Sequence, residues 1–404
     1  MRRVVITGVG LVSPLGSDVG AVFDAVLTGQ SGVVAIPAFA AVDDLGARVG
    51  APVTGFEPAK IPRKYRRSMA RMVQYAVAAV ADALASAGYP ADRLSSGRVA
   101  VVAGSTTGSP DAMQEFWKEF LATNSIRGIS STAFLRVMSH TVASHIALVY
   151  GVTGHVQSPG CACAVSNQAV GIAADLIRLG RADMVIAGGA DELSVLSAAT
   201  FDVVMAGCRG HEDQPKTRPA PFDRSRDGVV CAEGASIVIV EEREAALARG
   251  ATILAEVLGY GESCDATHMS SPEPEGMEAA MLRSLADAGL SPADIAYVCA
   301  HATGTVVGDA AEARATERVF GRDVPVSSLK GHFGHMLAAC GGCEILMCIE
   351  AMRRGIVPPT LNLNDPDVDP IHLPTEPLNR SLPRVMTNNF AFGGINASLI
   401  LGKA

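Results

Sequence analysis

Short, almost wholly apolar runs recur along the chain, each ending in small or polar residues. Val4–Thr7, Val99–Ala103, Met184–Ala187 and Ala235–Val240 form one set. Ile253–Leu258, Ala296–Ala300, Val324–Leu329, Arg384–Asn388 and Ala397–Leu401 form a second. Runs of this length, bounded by glycine and proline, predict buried strands. Between them lie stretches of helical period. Asp18 to Leu27 is one, closed by Gly29, and an alanine-rich helix ends near Ala87. A third follows Cys163, where Val165, Ala169, Ile172 and Leu176 share a face and Gly180 ends the helix. Strands alternating with helices predict an α/β fold.

The second set of strands repeats the order of the first. Each half has a strand leading to glycines, a strand leading to a polar Gly/Thr segment, and an extended segment entering a helix. A buried strand with a glycine pair and a last apolar strand complete it. This order predicts an internal duplication, residues 1–248 and 249–404. If a pseudo-two-fold relates the halves, their matching helices start face to face, and Cys163 lies opposite His335. Gly8-Val9-Gly10 is expected to turn out of the first strand. It lacks the third glycine of a dinucleotide loop, since Ser13 and Pro14 stand there.

Composition narrows the function. The chain has 404 residues, 49% of them hydrophobic and 18% charged, so it is ordered and long enough for two domains or one large duplicated one. No apolar run reaches membrane-spanning length, and the first run is too short for a signal-peptide core. A net charge of −8 argues against nucleic acid as a partner. Nine cysteines, an odd number unevenly spaced, fit reduced thiols in a cytoplasm better than a disulfide framework.

Cys163 is expected in the first turn of its helix, where unpaired N–H groups and the helix dipole favour a thiolate. It is therefore a candidate nucleophile, with a small buried hydrophobe as the alternative. Its possible partners are His301, in His301-Ala302-Thr303-Gly304-Thr305, and His335, in Lys330-Gly331-His332-Phe333-Gly334-His335, with Glu344 on the following helix. Asn388-Asn389-Phe390-Ala391-Phe392-Gly393-Gly394 is expected to supply flexible backbone. His145, His211, His268 and His372 are placed among structural histidines. Cys340-Gly341-Gly342-Cys343 could join Cys161 and Cys163 as zinc ligands, but small-residue helix packing is the preferred reading. Phe116, Trp117, Phe120 and Phe134, in an excursion from Pro110 to Met138, are expected to cover a pocket.

As a set these motifs, over nearly the whole chain, resemble the β-ketoacyl-acyl carrier protein synthases, condensing enzymes of the thiolase superfamily. Pro221-Phe222-Asp223 to Asp227-Gly228, followed by Glu233-Gly234, resembles the family too. The resemblance implies a thiolase-like duplicated α/β fold, layered αβαβα with two mixed sheets. It implies an acyltransferase that performs decarboxylative condensation of an acyl-cysteine with malonyl-carrier protein. On that reading Cys163 carries the acyl group, and the N–H groups of Cys163 and Phe392 hold the oxyanion. His301 and His335 both serve decarboxylation and condensation, and Lys330 and Glu344 set position and electrostatics. Thr303 and Thr305 bind the phosphopantetheine arm, with Phe201, Phe390 and Gly393 also at the substrate. Thr107 falls at the pocket floor, where relatives are apolar. No metal or bound cofactor is implied.

Two positions depart from the family pattern. Cys161 stands where Ser or Thr is usual, and Ala302 where glycine is. The partners implied are an acyl carrier protein, docked by Lys64, Arg67, Arg127 and Arg209, and a second subunit. That subunit is either another copy, as in fatty-acid elongation, or a homologous chain-length factor, as in type II polyketide or polyene synthesis. A non-catalytic partner subunit would lack Cys163 and the histidines, and a thiolase would carry a second cysteine motif late in the chain.

Overall fold

One order of elements occurs twice. In the first half it is β1 Val4–Val12, α1 Arg71–Ala87, β2 Val99–Gly104, α2 Thr141–Tyr150, β3 Val156–Gln157, α3 Val165–Arg178, β4 Met184–Asp191 and β5 Gly234–Glu242. In the second it is β6 Ala255–Cys264, α4 Pro274–Ala288, β7 Tyr297–Ala300, α5 Val306–Phe320, β8 Val326–Ser328, α6 Cys340–Arg354, β9 Arg384–Ala391 and β10 Ile395–Lys403. The computed structural model describes residues 2–58 and 61–404; Met1, Ala59 and Lys60 lie outside the described residues.

The strands run β8-β7-β9-β10-β6-β1-β5-β4-β2-β3 across the molecule. Read inward from either edge, each half has the same order and the same mixture of parallel and antiparallel pairs. The expected two mixed sheets are thus present as halves of one ten-stranded sheet. They are joined by a short antiparallel ladder, Val5 to Glu256 and Ile6 to Ala255. The duplication explains the seam, because the first strand of each half is the one left open at its inner edge.

Alternate residues of each strand separate the layers. Val101, Ile186, Ile237 and Ile239 face outward beneath α1 and α2. Val102, Val185, Val238 and Val240 face inward onto α3 and α6. Those two helices also receive Leu399 and Leu401 of β10 and Tyr297 and Cys299 of β7. On the far side α4 and α5 cover Val298, Met386 and Ile400. Five layers result, αβαβα. The central helices are buried on nearly all sides because sheet lies on both of their faces.

Both inner strands continue through their glycine pairs, each with a register shift just before the first glycine. The expected turn at Gly8-Val9-Gly10 is absent, and β1 continues to Val12. A Cβ on Gly10 would lie 1.9 Å from the Ala79 carbonyl oxygen of α1, and one on Gly261 would lie 2.2 Å from that of Ala280 in α4. Glycine here lets a helix lie directly on the strand, which is why the motif occurs in both halves. The glycines opening α6 serve similarly: a Cβ on Gly341 would lie 2.0 Å from Asn389 Oδ1, and one on Gly342 2.1 Å from Ser236 Oγ.

The excursion after β2 departs from expectation. Its helices Pro110–Thr123 and Ala133–Val137 pack Phe116 against Trp117 and Phe134, with centroids 5.6 and 6.1 Å apart. Trp117, Leu121 and Phe134 nonetheless remain exposed. None of the four aromatic residues reaches the cavity that holds Cys163.

Gly10→Ala and Gly261→Ala each overfill a helix–strand contact made by backbone that cannot move aside. Each should lower unfolding free energy by about 1–3 kcal/mol in urea titration. Unchanged midpoints for both would mean that α1 and α4 can lift off the sheet freely.

Candidate active site

The meeting of helix starts expected from the duplication is present. Cys163 lies in the 3-10 turn Ala162–Ala164 that leads into α3. The turn Leu337–Ala339 leads into α6 in the same way. Ala162 and Leu337 adopt matching left-handed conformations, φ 47° and 51°. His335 enters the second turn, held by its N–H to Val230 O at 2.7 Å and by Ala232 N–H to its carbonyl at 2.9 Å. Its Nε2 lies 3.0 Å from Cys163 Sγ. The His301 ring packs edge-on against it, centroids 5.2 Å apart. The thiol and one nitrogen from each imidazole all lie within 4.8 Å of one another.

Buried acids hold this geometry. His301 follows β7, and its N–H and that of Ala302 donate to Glu312 at 2.8 and 2.7 Å. Asp309, one turn earlier on α5, accepts from Gly304 N at 3.1 Å and Phe222 N at 2.8 Å. Asp191, at the end of β4, accepts Ala338 N–H at 2.8 Å and fixes the turn after His335. Burial pushes Glu312 up to about 8 and Asp191 up to about 6, against the pull of the N–H groups they accept. Sequence reading missed all three. The signal for two of them was legible, since Asp309 and Glu312 are acids one turn apart on the apolar face of an alanine-rich helix.

Lys330 and Glu344 form a buried ion pair behind the histidines and do not line the cavity. Burial alone would lower the Lys330 ammonium, but Glu344 outweighs it and holds it protonated. Asn389 Nδ2 lies 2.8 Å from Glu344 Oε2 and 3.3 Å from His301 Nδ1. The carboxylate requires the amide NH₂ on that side, so Asn389 donates to Nδ1 as well. The His301 proton is thereby set on Nε2. Asn388 and Asn389 belong to buried β9, so the expected flexible backbone is confined to Gly393 and Gly394, with φ 89° and 71°.

Burial first, then the Lys330 charge, holds both histidines well below the usual imidazole range, so they are neutral. Burial pushes the Cys163 thiol up to about 12 and outweighs Lys330, which acts the other way. The expected standing thiolate is therefore replaced by a thiol beside a neutral base. Exclusion of water costs the anion more than the turn's N–H groups return.

The thiol ends a cavity of about 230 Å³ lined by Phe201, His301, Thr303, Thr305, Phe390 and Phe392 among others. Thr303 Oγ1 lies 3.3 Å from that of Thr305. Two expected substrate residues lie elsewhere. Thr107 is on an exposed turn after β2, because the strand has already ended at Gly104. Gly393 donates to Met269 O at 2.8 Å, and Gly394 takes its place in the wall. Cys161 is buried but off the cavity, and Ala302 has no positive φ that would call for glycine. Lys64, Arg67, Arg127 and Arg209 are all exposed, and Arg209 contacts Asp202 at 3.3 Å.

The description "Beta-ketoacyl synthase, N-terminal domain" matches residues 1–246, and "Beta-ketoacyl synthase, C-terminal domain" matches residues 254–364. A 3-oxoacyl-[acyl-carrier-protein] synthase 2 of Coxiella burnetii is 37% identical over 100% of this chain and 99% of its own. Among solved structures, a β-ketoacyl synthase from Burkholderia phymatum superimposes with TM-score 0.97 at 42% identity, covering 100% of both chains. The ishigamide ketosynthase/chain length factor does so with TM-score 0.91 at 32% identity, over 100% of this chain and 99% of that one. The paired helix starts, the thiol between two neutral histidines and these likenesses converge, and the chain belongs to the β-ketoacyl synthase family.

Proposed function

We propose that this protein condenses an acyl-cysteine on Cys163 with malonyl-carrier protein, releasing carbon dioxide and giving β-ketoacyl-carrier protein. The observation that carries the reading is the 3.0 Å contact between Cys163 Sγ and His335 Nε2 at the end of a cavity that His301 also lines. In the first half-reaction the Cys163 sulfur attacks the acyl thioester carbonyl. Its proton passes to His335, the new C–S bond forms, and the carrier thiol leaves with that proton. His335 Nδ1 has no hydrogen-bond partner among the described residues, so the ring can carry its proton on either nitrogen. The N–H groups of Cys163 and Phe392 hold the developing oxyanion, each contributing about 10²–10³ in rate.

In the second half-reaction the malonyl carboxylate leaves as carbon dioxide and its bonding pair passes into an enolate. The His301 Nε2–H, fixed by Asn389, donates to the enolate oxygen, assisted by His335. The carbanion attacks the acyl-Cys163 carbonyl, a C–C bond forms, the C–S bond breaks with its pair on sulfur, and a proton taken from water through His335 restores the Cys163 thiol. Neutral N–H donors suit a closed cavity because they stabilise the anion without burying a second charge. Thr303 and Thr305 offer hydroxyls to the phosphopantetheine arm of the carrier, and no bound cofactor is invoked.

Trp117, Leu121, Ile126 and Phe134 leave an apolar face that a single chain exposes to water. A homologous second chain would cover it, either another copy or a chain-length factor like the one paired with the ishigamide ketosynthase. Lys64, Arg67, Arg127 and Arg209 would receive the acidic carrier protein. No helix among the described residues is long and apolar enough to cross a membrane. The nine free cysteines accord with work in a reducing cytoplasm.

Four outcomes are expected. Cys163→Ala should abolish acyl transfer, with circular dichroism showing an intact fold and mass spectrometry no acyl adduct; label appearing on Cys161 would reassign the nucleophile. In the native chain, alkylation of Cys163 by iodoacetamide should climb roughly tenfold per pH unit and still be climbing at about pH 9. A plateau near neutrality would instead mean a standing thiolate.

His301→Ala should lower carbon dioxide release from malonyl-carrier protein far more than self-acylation, whereas His335→Ala should lower both. Selective loss of decarboxylation in both variants would remove His335 as the base for Cys163. Lys64→Glu with Arg67→Glu should raise the KM for acyl-carrier protein and weaken its salt dependence. Turnover of a small pantetheine thioester should stay unchanged; equal damage to both substrates would rule out docking.

A further inference from the structure

At the cavity wall, three side chains that the condensation does not use converge. Cys208, His211 and Asp227 lie on the loop between the helix Val195–Val203 and β5. Their sulfur, imidazole nitrogen and carboxylate oxygen all lie within 4.8 Å of one another. His211 Nε2 is 2.8 Å from Asp227 Oδ2. The backbone holds them in place, with Cys208 N–H on Val229 O at 2.9 Å and Gln214 N–H on His211 O at 3.0 Å. His211 itself is left-handed, with φ 68°, and this local turn brings its ring back toward Asp227.

One thiol, one imidazole and one carboxylate make a donor set that zinc accepts, with a fourth position left for water. Cys208 and His211 have the two-residue gap that lets neighbouring positions of a turn share an ion. Cys208 is buried whereas His211 and Asp227 are half-buried, so the donors close the inner side and leave the outer side accessible. Arg218 Nε lies 3.2 Å from Asp227 Oδ1, but it makes no aligned hydrogen bond. Its charge would weaken zinc relative to a closed four-ligand site, which fits reversible uptake.

We propose that Cys208, His211 and Asp227 form a zinc site in the wall of the substrate cavity. Asp227, Gly228 and Val229 all line that cavity, and Val229 is bonded to Cys208. A bound ion would tie this part of the wall to the loop that starts at Cys208.

The probe is Zn²⁺ alone, titrated into the fully reduced full-length chain carrying Cys163→Ala. That background removes the thiol of the other convergent cluster, Cys163 with His301 and His335. Metal analysis after dialysis should find one zinc per chain. Adding Cys208→Ser or His211→Gln should remove it or weaken it by at least about tenfold. Co²⁺ in the same background should give a thiolate-to-cobalt charge-transfer band that Cys208→Ser abolishes. His211→Gln guards against a folding artefact, since His211 is partly exposed. The proposal is overturned if Cys163→Ala takes up no zinc at micromolar free metal, or if the chains that also carry Cys208→Ser or His211→Gln keep the zinc content of Cys163→Ala alone.

Discussion

Two half-molecules can share one reaction centre only if their central helices begin within hydrogen-bond reach of each other. That approach is the constraint on which the rest of the structure depends. It puts α3 and α6 between the two halves of the sheet with almost no room for side chains at their starts. A Cβ on Gly189 would lie 2.3 Å from the Ala338 carbonyl oxygen, and one on Gly341 2.0 Å from Asn389 Oδ1. Glycine at these points turns a pair of similar folds into one site, with Cys163 from one half against His335 and His301 from the other.

The duplicated turns are alike in backbone and unlike in chemistry. Ala338 occupies the position in its turn that Cys163 occupies in the other, and its N–H is taken by the Asp191 carboxylate. Strand pairing matches β4 with β9, so Asp191 corresponds to Ala391, which offers no acceptor side chain to the Cys163 turn. The same fold therefore binds a carboxylate internally at one turn and leaves the other turn without one.

Electrostatics in the cavity follow from burial first and from one buried ion pair second. Lys330 and Glu344 carry charge out of water, which by itself rarely adds stability. Here the pair sets the state of its neighbours. The ammonium works with burial to keep both imidazoles neutral, and Glu344 orients Asn389, which fixes the proton of His301 on the nitrogen opposite. The reacting groups are neutral at rest, so charge in the cavity develops only as bonds break.

Much of this was legible in the amino-acid order, because strand and helix periodicity, the repeated element order and the spacing around Cys163, His301 and His335 are local or additive properties. They determined the α/β class, the duplication and the pairing of the two helix starts. What the tertiary structure decided depends on neighbours distant in sequence. Gly8 and Gly10 look like a turn until α1 is seen lying on them. Thr107 looks like pocket floor until its strand is seen to end short of the cavity. Asn389 looks like flexible backbone until Glu344, 45 residues away, claims its amide. Cys163 looks like a thiolate from its helix start alone, and it becomes a thiol because the two halves close over it and exclude the water that would stabilise the anion.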